Sequence, residues 1–319
     1  MPRITRRSLL GSSLAAPLVT FVGSATAAAP VTIRMGVMKL VHSMTPYFYA
    51  RFLPAGYRIE LIPFSTPTDV KDAVVTRSVD YGTFGIAAAI LGAVGHQPVV
   101  VYGSECNKGM AVVGRKGEHL DSIHDLKGKK VGILPGTTQQ VFFYERLHML
   151  GITPHDIREV RLGFADMPAA LARGDIDAYV GAEPGPSLSL VNGTGKIIEY
   201  PYSTPMGSLN MILATHRATL ATRPKEALMM LDMQRKASAY AVAHPAQLVA
   251  MTVAKLGLNK AAVARAIPNV QLDWQMTPLM IQEVKSYASH MMALKQIRTL
   301  PDFATLLDPS LSQKLVSHA

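Results

Sequence analysis

The residues best placed to do chemistry are Gly136, Thr137 and Thr138, lying between the apolar run Val131–Leu134 and a helical pattern carried by Phe143, Leu147 and Leu150. Pro135 and Gly136 break the run, the threonines are placed to cap the helix, and Gly151 ends it. A strand that turns sharply into a hydroxyl-capped helix leaves backbone N–H groups at the positive end of the helix dipole. That is a corner for an anion. The same residue types also suit an ordinary capped helix. Two further side chains could serve as nucleophile or base, Cys106 and His42, each following an apolar run. Their plainer readings are a small core residue and a hydrogen-bonded surface histidine. The chain has no GxSxG elbow, GxGxxG turn, phosphate-binding P-loop or HExxH. Its histidines form no ligand cluster, so no catalytic residue, metal site or cofactor is expected.

The elements that must position these residues belong to a chain of 319 residues, enough for two domains of moderate size. With 49% hydrophobic and 17% charged residues it has the makings of a packed core. The net charge is +10; without Arg3, Arg6 and Arg7 it is 29 basic against 22 acidic residues, or +7. The surplus favours an anionic small ligand or surface partner, and its scatter, with no Lys/Arg run, argues against nucleic acid. Thr5-Arg6-Arg7-Ser8-Leu9-Leu10 reads as a twin-arginine export signal, and Ala25-Thr26-Ala27 or Ala27-Ala28-Ala29 as its cleavage site. The single cysteine excludes an intramolecular disulfide. A periplasmic location is expected.

Apolar runs bounded by turn residues predict strands over 31–38, 58–64, 79–85, 98–102, 109–115, 131–134, 158–162, 178–180 and 209–214. Helical patterns fall between them, including one opening near Pro46 and one starting at Ser65-Thr66-Pro67-Thr68-Asp69. Alternation of this kind predicts parallel pairing and an α/β fold. Beyond residue 217 the pattern is nearly all helical; Thr222 is expected to cap a helix burying Ala227, Met230, Leu231, Ala237 and Ala241.

KDAVVTRSVDYGTFG, DLKGKKVGILPGTTQQ and AALARGDIDAYVGAEP occur in an order and spacing that resemble the periplasmic solute-binding proteins of ABC importers. The resemblance is to the nitrate, sulfonate and taurine subgroup, which includes the NMT1/THI5-like proteins, and it covers essentially the whole mature chain. It implies a type II periplasmic binding fold, two α/β lobes with ligand in the cleft between them. The divisions implied are a signal peptide over 1–29, lobe one over 30–112 and 217–319, and lobe two over 113–216. Ligands of open α/β sheets sit beyond the carboxyl ends of strands. In the first lobe those positions are His42, Ser43, Met44 and Thr45, then Ser65 and Thr66, Gly85 and Ile86, and Glu105 and Asn107. In the second they are Gly136, Thr137 and Thr138, then Asp166, then Glu183. The family's oxyanion-binding hydroxyls map onto Thr137 and Thr138, and its Trp-Glu-Pro segment onto Ala182-Glu183-Pro184. A lone carboxylate such as Glu183 suits a ligand amine or a bond that closes the hinge better than paired acid–base catalysis.

Ala182 replaces the family's usual tryptophan, and Ser43-Met44-Thr45-Pro46 stands where Gly-Tyr-x-Pro is common. These departures imply a reshaped cleft and leave the ligand open. One cysteine also cannot reproduce the cysteine-rich iron motif of the pyrimidine-synthase relatives. The function expected is that of a monomeric solute-binding protein delivering a small anionic or zwitterionic organic molecule to a membrane permease. The alternatives are an exported enzyme on the same scaffold using Cys106 or His42, and a ligand-sensing subunit of a membrane receptor.

Overall fold

The computed structural model describes residues 29–317; the twin-arginine segment lies outside the described residues. Among the described residues, eleven strands form two sheets. The first half supplies β1 (Val31–Met38), β2 (Tyr57–Phe64), β3 (Tyr81–Gly85), β4 (Val99–Lys108), β5 (Met110–Arg115) and β6 (Lys130–Ile133). The second half adds β7 (Arg158–Arg161), β8 (Ala178–Ala182), β9 (Gly195–Glu199), β10 (Leu209–His216) and β11 (Val270–Leu272). The sheet orders are β11-β4-β10-β3-β1-β2 and β7-β6-β8-β5-β9.

Between the strands of the first half lie α1 (Pro67–Val75), α2 (Ile86–Val94) and α3 (Thr138–Met149), followed by α4 (Met167–Arg173) and α5 (Gly185–Val191). After β10 come α6 (Arg217–Thr222), α7 (Pro224–Ala243), α8 (Pro245–Leu256), α9 (Lys260–Ala266) and α10 (Pro278–Ala293). The face of α7 carrying Ala227, Met230, Leu231, Ala237 and Ala241 is fully buried, as its spacing requires. Thr222 does not cap that helix; its hydroxyl donates to the Ala218 carbonyl, and Arg223 stands at the cap position. The helix expected near Pro46 is present over Thr45–Arg51, as a 3₁₀-helix.

Two other expectations need correcting. Pairing is mixed: β1 runs parallel to β2 and β3, but β10 lies antiparallel between β3 and β4. For the same reason the lobe division 113–216 is displaced, because β10 belongs to the first sheet and β5 begins the second at Met110. Leu209–His216 is buried along all but its last residue, and such a strand needs neighbours on both sides and helices on both faces. β4 also runs six residues further than its apolar run suggested, carrying polar Ser104, Glu105 and Asn107 inside the sheet. The chain therefore crosses between sheets at Lys108-Gly109 and returns through residues 200–208. Lys108 and Gly109 both hold positive φ, 63° and 79°. Of three apolar clusters among the described residues, one spans both sheets and joins the facing helices, containing Phe84 and Ile90 from the first sheet's side and Phe142 and Met167 from the second's.

Candidate ligand-binding cleft

A cleft of about 650 Å³ opens where the carboxyl ends of β1 and β2 face those of β7 and β8. From the first sheet's side come Lys39 and Leu40 after β1, Ser65 and Thr66 after β2, and Tyr47. The second sheet contributes Phe164, Ala165 and Asp166 before α4, with Ala182 at the end of β8 and Pro184 just beyond it. Lys255, Leu256 and Leu258, at and just beyond the end of α8, close one side. Lys255 Nζ lies 5.2 Å from the centre of the Tyr47 ring, a cation–π distance that holds the ammonium over the cleft wall. Lys39 and Asp166 are exposed, and the Asp166 carboxylate makes no cap bond to α4. The arrangement is an apolar slot with two cations and one anion at its rim. It suits an organic anion or zwitterion with an apolar body.

Of the residues singled out from sequence, Ser65, Thr66 and Asp166 line this cleft, as do Ala182 and Pro184 of the Ala182-Glu183-Pro184 segment. Thr66 also caps α1, accepting the Asp69 N–H at 3.2 Å. Lys39, Tyr47 and Lys255 were missed. Lys39 had a readable signal, since it directly follows the first strand. Lys255 had none, because α8 reaches the cleft only through tertiary packing.

The threonine corner is not open to an anion. Thr137 donates its hydroxyl to the Leu134 carbonyl at 2.7 Å and accepts the Gln140 N–H at 3.3 Å. Gly136 gives its N–H to the Gln140 side-chain carbonyl at 2.8 Å. The chain's own glutamine thus occupies the place an oxyanion would take. Thr138 is buried, donating to the Asn210 carbonyl at 3.3 Å, and its own carbonyl accepts the Tyr287 hydroxyl from α10 at 2.9 Å. A Cβ on Gly85 would stand 2.6 Å from Thr138 Oγ1, so the end of β3 and the start of α3 touch without space for a ligand. Thr137→Ala is accordingly expected to lower stability by ~1 kcal/mol through cap loss. Ligand affinity should stay unchanged, and denaturant melts beside a binding titration check both halves.

Most of the remaining residues are buried and do not line the cleft. His42, Ser43 and Met44 are 0% exposed. Met44 packs in the core with Phe48 and Tyr49, and Ile86 starts α2 inside the core. Ser43 Oγ lies 2.8 Å from Thr83 Oγ1, and Thr45 donates to Glu105 at 3.5 Å. Burial pushes the Glu105 carboxyl well above its ordinary range, against the pull of the Thr83, Thr45 and Ser43 hydroxyls. Asn107, on β4, donates to Asp273, just past the end of β11, at 3.5 Å. Glu183 accepts from Ser187 at 3.1 and 3.0 Å and from Asn269 at 2.6 Å, a bond from the end of β8 to the turn after α9. It holds two parts of the fold together and does not line the cleft. Burial raises the Cys106 thiol well above its usual value, which keeps it a protonated core residue. His42 is driven the other way, down to about 4, again by burial. Neither residue reaches the cleft, so these positions give the enzyme alternative no reactive group.

A model of the family described as NMT1/THI5 like matches residues 45–248. The chain is 26% identical over 199 residues to an Escherichia coli (strain K12) protein named for aliphatic sulfonate binding, covering 60% of this chain and 62% of that one. It is 24% identical over 209 residues to the 4-amino-5-hydroxymethyl-2-methylpyrimidine phosphate synthase of Aspergillus parasiticus, covering 61% and 60%. The match therefore spans about three-fifths of the length of these relatives. The fold is that of the ligand-binding component of an ABC-type import system from Staphylococcus aureus, at a TM-score of 0.77 and 20% identity over 89% of this chain and 98% of that one.

Proposed function

This chain belongs to the NMT1/THI5-like family, and from that premise we propose that it is the solute-binding component of an ABC importer, working in the periplasm on a small organic anion or zwitterion. The observation that carries the reading is the cleft itself: Lys39, Lys255 and Asp166 stand at the rim of an apolar slot between two sheets. Its position beyond the carboxyl ends of the strands is where such folds take ligands. The relatives named for sulfonate binding and for ABC import point the same way. The synthase relative points to chemistry, but His42 and Cys106 are both 0% exposed and away from the cleft. Binding without conversion is the better account. No helix among the described residues is long and apolar enough to cross a membrane. Residues 1–29 are proposed to direct export, with a mature chain starting after Ala27 or Ala29, which mass spectrometry of the exported protein checks. The protein is proposed to act as a monomer that docks on its permease.

The function is tested by a thermal-shift screen of alkanesulfonates, taurine, nitrate, aromatic carboxylates and pyrimidines. A solute at a hundredfold excess over its Kd is expected to add ~2.7 kcal/mol to stability, and each kcal/mol raises the melting temperature by ~2–4 °C. The compound should be recovered unchanged. A flat screen, or conversion of the compound, overturns the reading.

A further inference from the structure

The loop after β1 starts in the cleft and ends at the crossing between the sheets. Lys39 and Leu40 line the cleft, while His42, two residues on, is wholly buried beside Lys108 and Gly109. His42 Nε2 lies 3.3 Å from the Lys108 carbonyl and 3.1 Å from Asn210 Nδ2. Asn210, the second residue of the return strand β10, donates to the same carbonyl at 2.5 Å. Lys108 N–H in turn donates to the Ser208 carbonyl, and Glu183 N–H to the Gly109 carbonyl, both at 2.8 Å. One imidazole therefore touches the outgoing crossing and the strand that the returning one feeds, and the outgoing crossing is bonded to the end of β8. A Cβ on Gly109 would fall 2.1 Å from His42 Nε2, so the ring rests directly on the glycine backbone. Further along, Ser43 and Thr45 anchor the loop to Thr83 and Glu105.

We propose that His42 is a positioning residue: it ties the cleft loop 39–45 to the Lys108-Gly109 crossing and so fixes the angle between the two lobes. The proposal rests on the two-lobed solute-binding reading for its biological meaning, but its test needs no ligand. Failure of one is therefore distinguishable from failure of the other. The exposed residues Asp69 on α1 and Ala169 on α4 are replaced by cysteine in a Cys106→Ala background, and the distance between spin labels there is measured by pulsed electron resonance.

With His42 present the distribution is expected to be narrow. His42→Ala should broaden it and shift it to longer distance, and His42→Gln, which keeps a group able to bond the Lys108 carbonyl, should restore most of the narrowing. Asn210→Ala provides a second route that leaves the imidazole in place, and it should broaden the distribution to a lesser degree. A residue that merely fills space would change the melting temperature and leave the distances alone. If folded His42→Ala, or Asn210→Ala where His42→Ala does not fold, gives the unsubstituted distribution, the proposal is overturned.

Discussion

Gly109→Ala is expected to destabilise the protein by roughly 2–5 kcal/mol, adding the cost of a left-handed backbone to that of overpacking. The first part follows from its φ of 79°, a region that an alanine enters only with strain. The second follows from the 2.1 Å that would separate the new Cβ from Nε2 of His42, a ring that is wholly buried. Gly128 is the control, with a φ of 72° and nothing within 4 Å of the place its methyl group would take, so Gly128→Ala should cost only ~1–2 kcal/mol. Denaturant unfolding of both variants reads the difference. Adding His42→Ala to Gly109→Ala should recover part of the loss, because contacting residues do not act additively. Equal losses at the two glycines would mean that the ring does not press on the crossing.

Acid should loosen the same place. An unfolded histidine takes up a proton near pH 6.5, whereas burial holds folded His42 neutral down to about 4. Between those values the unfolded chain binds more protons, so stability falls as pH falls, by roughly 3 kcal/mol across the window. Glu105 and Glu183 work in the opposite sense, since burial raises both and their contribution is lost as pH rises past the ordinary carboxyl range. The histidine contribution is therefore read as a difference. Urea midpoints from pH 7.5 to 4.5 should fall more steeply for the unsubstituted protein than for His42→Gln. Parallel profiles would contradict the burial of a neutral ring.

Much of the sheet framework was legible because apolar runs bounded by Gly, Pro and Asp mark strands wherever they lie. The place of β10 was not, since a strand's neighbours depend on the whole fold; its buried, weakly polar sequence was the available hint. Thr137 shows a different limit. Cap and anion corner call for the same hydroxyl, and the glutamine three residues on, Gln140, is the local sign that the chain caps itself. His42 and Ser43 were rightly placed after a strand and wrongly placed in the cleft, because the loop turns inward after Leu40 and burial is not a local property. Lys255 entered the site from a helix more than two hundred residues away in sequence from Lys39.

The central claim is that the slot between the sheets holds an organic anion by its rim lysines. Its most direct test is calorimetric titration of the compound giving the largest thermal shift, on the unsubstituted protein and on Lys39→Gln combined with Lys255→Gln. Exposed charge contacts are individually weak, so the pair is expected to contribute ~1–2 kcal/mol, a loss of roughly tenfold in affinity. One molecule should bind per chain, with the melting temperature of the free double variant unchanged. Equal affinity in the two proteins would place the anion elsewhere and contradict the account.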